Sequence, residues 1–308
     1  MSVSSWLVRT GLTFVFLGIV AVGADEVLTA RIQHSESLAA GRIARLRGAR
    51  DPQEIALFGS SKAESDYVPS ILGKGVYNYG LAATGLNVTN WLLKIELRRQ
   101  TRQPVIIDLV QWTVVEFGDP RNYIPGSRDR DIRQFLNESG QWRWYYAIPG
   151  LRYFGAWDWY VKGLISDRVS LTKRMDHGFS VNLDEPPWNR EIFQTKVSER
   201  LALNYPFDID DRQKVRLAGL IRSAPNRQFV LVLAPLHKAF FAHNDGSVAL
   251  RRELREMQAE LPNLHVIDMT HVDYPDSYYA DTAHLNQAGA EVFSRQLHDR
   301  LVGLNLLR

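Results

Sequence analysis

The sequence of 308 residues contains no cysteine. That excludes a disulfide, a thiol nucleophile and a thiolate metal site. It has no H-E-x-x-H run and no clustered His and Asp ligands beyond Asp281 and His284, so nothing points to a bound metal. Walker A and Rossmann fingerprints are also missing, so neither a nucleotide nor any other cofactor is implied. The formal net charge is only +3, and no dense basic stripe stands out despite a pI near 9.0. Nucleic acid is therefore not an expected partner. No internal repeat or low-complexity linker appears. What is present is an ordinary globular balance, 45% hydrophobic and 23% charged, in a chain long enough to bury a sizeable core.

The N-terminus carries the longest uncharged stretch, Thr10 to Ala24, with Arg9 before it and Asp25 and Glu26 after it. Fifteen residues fall short of the roughly 20 that span a bilayer. Counting from Trp6 to Leu28 reaches spanning length, with Arg9 snorkelling at one end. Two readings stand. The stretch is an uncleaved signal anchor, or it is a signal peptide cut after the small residues Val22-Gly23-Ala24. In both, the positive flank sends the bulk of the chain out of the cytoplasm, to an inner-membrane-anchored periplasmic or exported position.

Beyond this segment, residues 25–50 read as a helix, with Leu28, Ile32, Leu38, Ile43 and Leu46 among charges. An alternation of short apolar runs and amphipathic stretches follows. Glu54–Phe58, Val76–Tyr79, Val105–Val110, Phe229–Leu233 and Leu264–Ile267 have the length and flanks of buried parallel strands. Leu86–Arg99, a segment opening at Ser247 and ending near Leu261, and Asn286–Leu301 have the apolar spacing of helices. Such alternation predicts an α/β fold, a parallel sheet covered by helices on both faces. Ligands of such sheets bind beyond the carboxyl ends of the strands.

The alternation is interrupted over about residues 113–226, expected to be a helical insertion. Between Trp142 and Tyr160 it holds Trp142, Trp144, Tyr145, Tyr146, Tyr153, Phe154, Trp157, Trp159 and Tyr160. Aromatic faces with polar edges suit three roles: packing of the insertion, contact with sugar rings, and contact with a membrane–water interface.

Two short runs carry the chemistry. One is Ile55-Ala-Leu-Phe-Gly59-Ser60-Ser61, at the end of the first strand; the other is Asp281-Thr-Ala-His284-Leu-Asn-Gln-Ala-Gly289, before the last helix. They offer a hydroxyl nucleophile, an imidazole base and a carboxylate to orient that base. Asp281 stands three residues before His284, so one turn brings its carboxylate back to the ring. The competing view of Ser61 is a helix N-cap in an ordinary strand-to-helix turn. Lys62 and Ala63 break the Gly-x-Ser-x-Gly elbow of α/β-hydrolases.

Together with a glycine after the second strand (Gly80), these runs resemble the SGNH (GDSL-like) hydrolases, over residues 53–112 and 226–305. The resemblance implies a three-layer α/β/α domain in which Ser61 is the nucleophile, His284 the general base and Asp281 its orienting acid. It also implies an oxyanion hole from the backbone N–H groups of Ser61 and Gly80. A third family donor, an Asn side chain in a Gly-x-Asn-Asp motif, is replaced here by Leu109-Val-Gln-Trp-Thr113, which leaves Gln111 as the candidate amide. His237, Trp112 and Asn78 are candidate lining residues. The chain is expected to divide into a membrane segment at 1–28, a helical stalk at 29–52 and an SGNH-like catalytic domain at 53–308. Gly-Ser-Ser in a membrane-anchored chain is similar to the alginate-type O-acetyltransferases and the D-alanyl transfer protein of teichoic-acid synthesis. Those groups imply O-acylation, most simply O-acetylation, of a cell-envelope polysaccharide, with the acyl group supplied by a donor or through a membrane-bound O-acyltransferase. A carbohydrate esterase or lipase-like hydrolase using the same triad, and a non-catalytic scaffold of an envelope polysaccharide complex, are the competing expectations.

Overall fold

A computed structural model describes residues 3–109, 117–169, 173–182, 188–202, 210–241 and 247–307. In chain order the first elements are α1 (Val3–Gln33), α2 (Ala39–Arg47), β1 (Ile55–Phe58), α3 (Ser61–Asp66), α4 (Pro69–Leu72), β2 (Val76–Asn78), α5 (Leu86–Glu96) and β3 (Val105–Asp108). Then come α6 (Arg130–Glu138), α7 (Trp157–Val169), β4 (Lys173–Asp176), β5 (Phe179–Asn182), α8 (Arg190–Ala202) and α9 (Asp211–Arg222). The chain closes with β6 (Phe229–Leu233), α10 (Lys238–Phe241), α11 (Ser247–Glu260), β7 (Leu264–Asp268) and α12 (Gln287–Gly303).

These elements form two compact units. One joins Met1–Arg45 to Asp119–Ser170, and the other joins Leu46–Gly118 to Leu171–Arg308. The expected insertion at 113–226 is thus shared between them.

The second unit holds a five-stranded, fully parallel sheet of order β2-β1-β3-β6-β7. The α/β expectation is met here, and each of the five strands lies within two residues of its sequence-based position. The reason is burial on both faces, which writes such strands as continuous apolar runs. Leu57, Ile106, Val230 and Val232 pack with Phe293, Leu297 and Leu301 of α12 in one core cluster. Ala56, Phe58, Ile107 and Leu231 alternate with them and are equally buried. They point to the opposite face, where α5 packs against β1 and α9. The antiparallel hairpin β4–β5 was not foreseen. Its turn is His177-Gly178, both with positive φ, the conformation that a two-residue hairpin favours. The hairpin tip meets the sheet edge, where Asn78 N–H donates to the His177 carbonyl at 2.8 Å.

The opposite end of the sheet is tied by charge. Glu96, at the end of α5, is fully buried and accepts from Arg50 at 2.5 Å, Arg99 at 2.8 Å and Arg227 at 2.8 Å. Burial alone would raise its pKa, but Arg50 and Arg227 hold it below the usual carboxylate range. Arg50 also reaches Glu54, whose carboxylate accepts from the Tyr79 hydroxyl at 2.7 Å.

The first unit is built on α1. Its apolar length, Trp6 to Val22, is solvent-exposed, whereas Asp25, Leu28, Thr29 and Ile32 are buried. The helix is long and apolar enough to cross a membrane. The helix expected over 25–50 is two helices, because α1 ends at Gln33 and the chain turns before α2. Aromatics of the 142–160 window divide. Tyr146, Tyr153 and Tyr160 are core residues, and Trp144, Phe154 and Trp157 are exposed.

Glu96→Ala leaves three arginines around an empty position. It is expected to cost about 3–5 kcal/mol, the scale for breaking a buried ion pair by removing one partner. Urea denaturation of the folded chain measures it.

Candidate active site

The sequence sends the chain from β1 straight into α3 at Gly59-Ser60-Ser61. The N-cap position is Ser60, whose side chain makes no capping hydrogen bond. Ser61 is the first residue of the helix, and its hydroxyl lies 2.8 Å from His284 Nε2. The N-cap view of Ser61 is therefore set aside: its side chain is committed to the imidazole, across 223 residues of sequence.

His284 is held by the turn that precedes α12. Asp281 Oδ1 accepts from the backbone N–H of Ala283 at 2.7 Å and of His284 at 2.8 Å. The same carboxylate accepts from His284 Nδ1, at 2.9 Å through Oδ2 and 3.1 Å through Oδ1. Desolvation would raise the Asp281 pKa, but the His284 ring and the two amides outweigh it and hold the carboxyl well below the usual range. An ionised Asp281 only accepts, so Nδ1 carries the proton and Nε2 is left to accept from Ser61. Asn286 explains the rest of the motif. Its side chain caps α12 by accepting from Gly289 N–H at 3.0 Å, while its amide group donates to the Ser277 carbonyl at 2.7 Å. Both fix where the turn leaves the helix.

The sequence reading missed the residue that binds these parts together. Lys62, next to Ser61, is fully buried and makes a salt bridge with Asp66 at 3.1 Å. Its ammonium also donates to the carbonyl of Pro235 at 2.9 Å and to that of Ala283. Asp66 in turn accepts from Leu285 N–H at 3.1 Å. One ion pair on the nucleophile's own helix thus grips the residue before His284 and the residue after it. A Lys and an Asp at i, i+4 on a short helix give a sequence signal for the pair, but not for its burial.

The remaining candidates fall elsewhere. Gly80 N–H donates to Asn78 Oδ1 at 2.8 Å, so in this structure it is engaged within its own turn and is not aimed at Ser61. Its glycine is required for another reason. A Cβ there would lie 2.6 Å from Glu64 N and 2.8 Å from Ala63 Cβ, so α3 passes directly over it. Asn78 is fully buried and is a strut, not a lining residue. Its Nδ2 donates to the carbonyls of Ala63 at 2.6 Å and Tyr67 at 3.2 Å. His237 donates its backbone N–H to Thr282 O at 3.0 Å, while its ring pairs with Asp276 at 3.2 Å. That ring lines a 170 Å³ cavity with Thr270, Tyr274 and Tyr279, and Ser61 is not among its lining residues. Gln111 and Trp112 lie outside the described residues. The Ser61 N–H stands at the first position of α3, where an amide has no acceptor within the helix. Among the described residues no three His, Asp or Glu side chains stand together as a metal site.

A second acid sits behind the first strand end. Asp108, at the end of β3, is fully buried and accepts from the Tyr67 hydroxyl at 2.7 Å through Oδ1. Burial pushes its carboxyl up to about 6, with Lys62 and Tyr67 offsetting part of that rise.

No protein-family model and no curated relative matches this sequence. Two solved structures of similar layout are a Streptococcus pneumonia protein provisionally described as a platelet activating factor and a provisionally described acylhydrolase of Bacteroides fragilis. The first is 11% identical with a TM-score of 0.41, covering 94% of this chain and 99% of its own. The second is 10% identical with a TM-score of 0.42, covering 87% and 95%.

Two outcomes are expected. Lys62→Met should lower stability by about 3–5 kcal/mol and slow fluorophosphonate labelling of Ser61 on the order of 10²-fold, the cost of a misplaced base. Unchanged labelling of folded protein would mean that His284 is held without Lys62. The Asp108 carboxyl is raised, so the folded chain keeps an extra proton between its ordinary value of 3.8 and about 6. Stability therefore falls as pH rises through that window. Asp108→Asn should remove this loss, up to about 3 kcal/mol, read as urea midpoints compared at pH 4 and pH 8.

Proposed function

We propose that this chain is a serine-dependent acyl-transferring enzyme. The observation that carries the reading is the single hydrogen-bonded line Ser61 Oγ–His284 Nε2, His284 Nδ1–Asp281. Ser61 Oγ attacks the carbonyl carbon of an acyl ester while His284 Nε2 takes its proton. The Ser61 N–H stabilises the oxyanion. As the tetrahedral intermediate collapses, the imidazolium returns that proton to the leaving alkoxide and an acyl-serine remains. The acceptor hydroxyl then loses its proton to His284 and attacks the acyl carbon, and as the bond to Ser61 Oγ breaks the imidazolium returns that proton to Ser61 Oγ. Asp281 stays ionised throughout and stabilises the imidazolium.

For the acceptor we propose a hydroxyl of a cell-envelope or extracellular polysaccharide, and for the acyl group acetyl. The exposed apolar face of α1, which favours a membrane-anchored, extracytoplasmic chain, supports this reading. So does the resemblance of Gly59-Ser60-Ser61 and Asp281-x-x-His284 to envelope acyltransferases. Supply through a membrane-bound O-acyltransferase fits the same picture. Hydrolysis by the same site is the second reading, and one observation favours it. The His284 and Asp281 side chains are 16% and 22% exposed, so water reaches the base.

Fluorophosphonate labelling of the purified chain, mapped by peptide mass, tests the nucleophile. Labelling is expected at Ser61 and should vanish in Ser61→Ala and in His284→Ala. Asp281→Asn should slow it on the order of 10⁴-fold, as loss of the orienting acid does in serine proteases. Folded protein that takes no label would favour the scaffold alternative. Turnover of an acetyl ester with and without an added polysaccharide separates the two readings. Acetylated polysaccharide marks transfer, and acetate release unaffected by the polysaccharide marks hydrolysis.

A further inference from the structure

The exposed aromatics of the first unit are placed together, and their position along α1 identifies what they face. α1 is 31 residues long, about 46 Å at 1.5 Å per residue. A bilayer core takes about 20 of those residues, and the uncharged stretch ends at Ala24. The first ionisable group after it, Asp25, is fully buried and paired with Arg152 at 2.8 Å. Glu26 next to it pairs with Arg128. The boundary between apolar and charged surface on α1 therefore falls at about residues 21–25.

The turn at residues 148–154 sits at that level. A Cβ on Gly150 would lie 3.1 Å from Ala21 Cβ, and Gly150 N–H donates to Asp25 Oδ1 at 3.0 Å. Tyr153 anchors the turn from below, its hydroxyl 2.6 Å from Thr29 Oγ1. With its polar groups so tied, the turn presents apolar side chains outward. Phe154 is 76% exposed and Leu151 44%, and Trp144, 69% exposed on the short helical turn Trp144–Ala147 just before, is joined to Phe154 through Tyr145, which lies edge-on to both rings. Large apolar residues exposed in a cluster beside an unburied apolar helix mark an interaction surface. Trp and other aromatics at the end of a spanning helix are what the headgroup region accepts.

We propose that the 144–154 turn is a membrane-interface foot: α1 is retained as a spanning anchor, and Trp144, Leu151 and Phe154 insert into the headgroup region of the same bilayer. The occupant is lipid, since the turn meets α1 at Ala21, within its exposed apolar length, and the charges nearest that contact, Asp25 and Arg152, are buried and paired with each other. The anchored Asp25–Arg152 pair, shielded by the turn, sets the depth at which the foot rests.

The absence of cysteine makes the test direct, because a single introduced thiol labels at one place. Phe154→Cys, Trp144→Cys, Leu17→Cys and His34→Cys are each made in the full chain, labelled with an environment-sensitive NBD dye, and reconstituted into phosphatidylethanolamine–phosphatidylglycerol vesicles. His34 lies about 15 Å beyond Ala24 along the α1 axis and serves as the aqueous control. Thermal unfolding of each variant, compared with the parent, confirms that the fold is kept. The expected result is a blue-shifted emission at 154 and 144 that is lost to shallow doxyl-lipid quenchers, a loss at 17 to deep quenchers, and no change at 34. Quenching at 17 with none at 154 or 144 overturns the foot. Lack of quenching at 17 overturns the retained anchor and the foot with it. A dye at 154 that responds to a soluble polysaccharide and not to doxyl lipid assigns the turn to glycan instead.

Discussion

Lys62 carries its ammonium into an interior where water does not reach it, and the sheet-end loops are arranged by that fact. A buried charge is costly unless its partners are close and its protons satisfied. Lys62 finds one carboxylate on its own helix and two carbonyls from loops far away in sequence. Pro235 follows β6, and Ala283 precedes His284. Satisfying one ammonium therefore fixes the distance between α3 and two loops at once. Asp66 completes the arrangement by accepting from Leu285 N–H. The Ser61–His284 distance is then set by backbone contacts on either side of the ring, not by the hydroxyl–imidazole bond alone.

Three acids lie around this point, and their surroundings give them different duties. Asp281 is partly exposed to water at the turn and satisfied by a ring and two amides, so it stays ionised. Asp66 is fully buried but paired with Lys62. Asp108 is fully buried too, and its nearest polar neighbour is the neutral Tyr67 hydroxyl, so it is the one pushed toward the protonated form. Separation of this kind lets one group orient an imidazolium while another contributes little charge to the same site.

Much of this was legible in the sequence, and the remainder was hidden for identifiable reasons. Val-Ile-Ile-Asp at 105–108 and Phe-Val-Leu-Val-Leu at 229–233 announce buried parallel strands by composition alone. Asp281 and His284 are readable because the interaction is local, three residues apart. Lys62 was not, because its meaning depends on carbonyls contributed 173 and 221 residues later. Gly80 was read for its N–H, whereas its environment shows the demand to be close helix approach. The β4–β5 hairpin was overlooked because Lys-Arg-Met-Asp lacks the β-branched content of a typical strand. Its signal was the turn residue Gly178.

The aromatic window shows how composition and position divide one segment between two media. Tyrosine carries a hydroxyl that needs a partner when buried. Tyr153 and Tyr160 find theirs in Thr29 and in the Arg121 carbonyl, and both are interior. Trp144 and Phe154 carry no hydroxyl and stand outside, although in a water-facing protein the less polar ring is the better candidate for the core. That inversion costs little only if the medium around Trp144 and Phe154 is itself apolar. Ala21 and Gly150 place those rings beside the end of a helix whose exposed face makes the same demand, so a single apolar medium satisfies both.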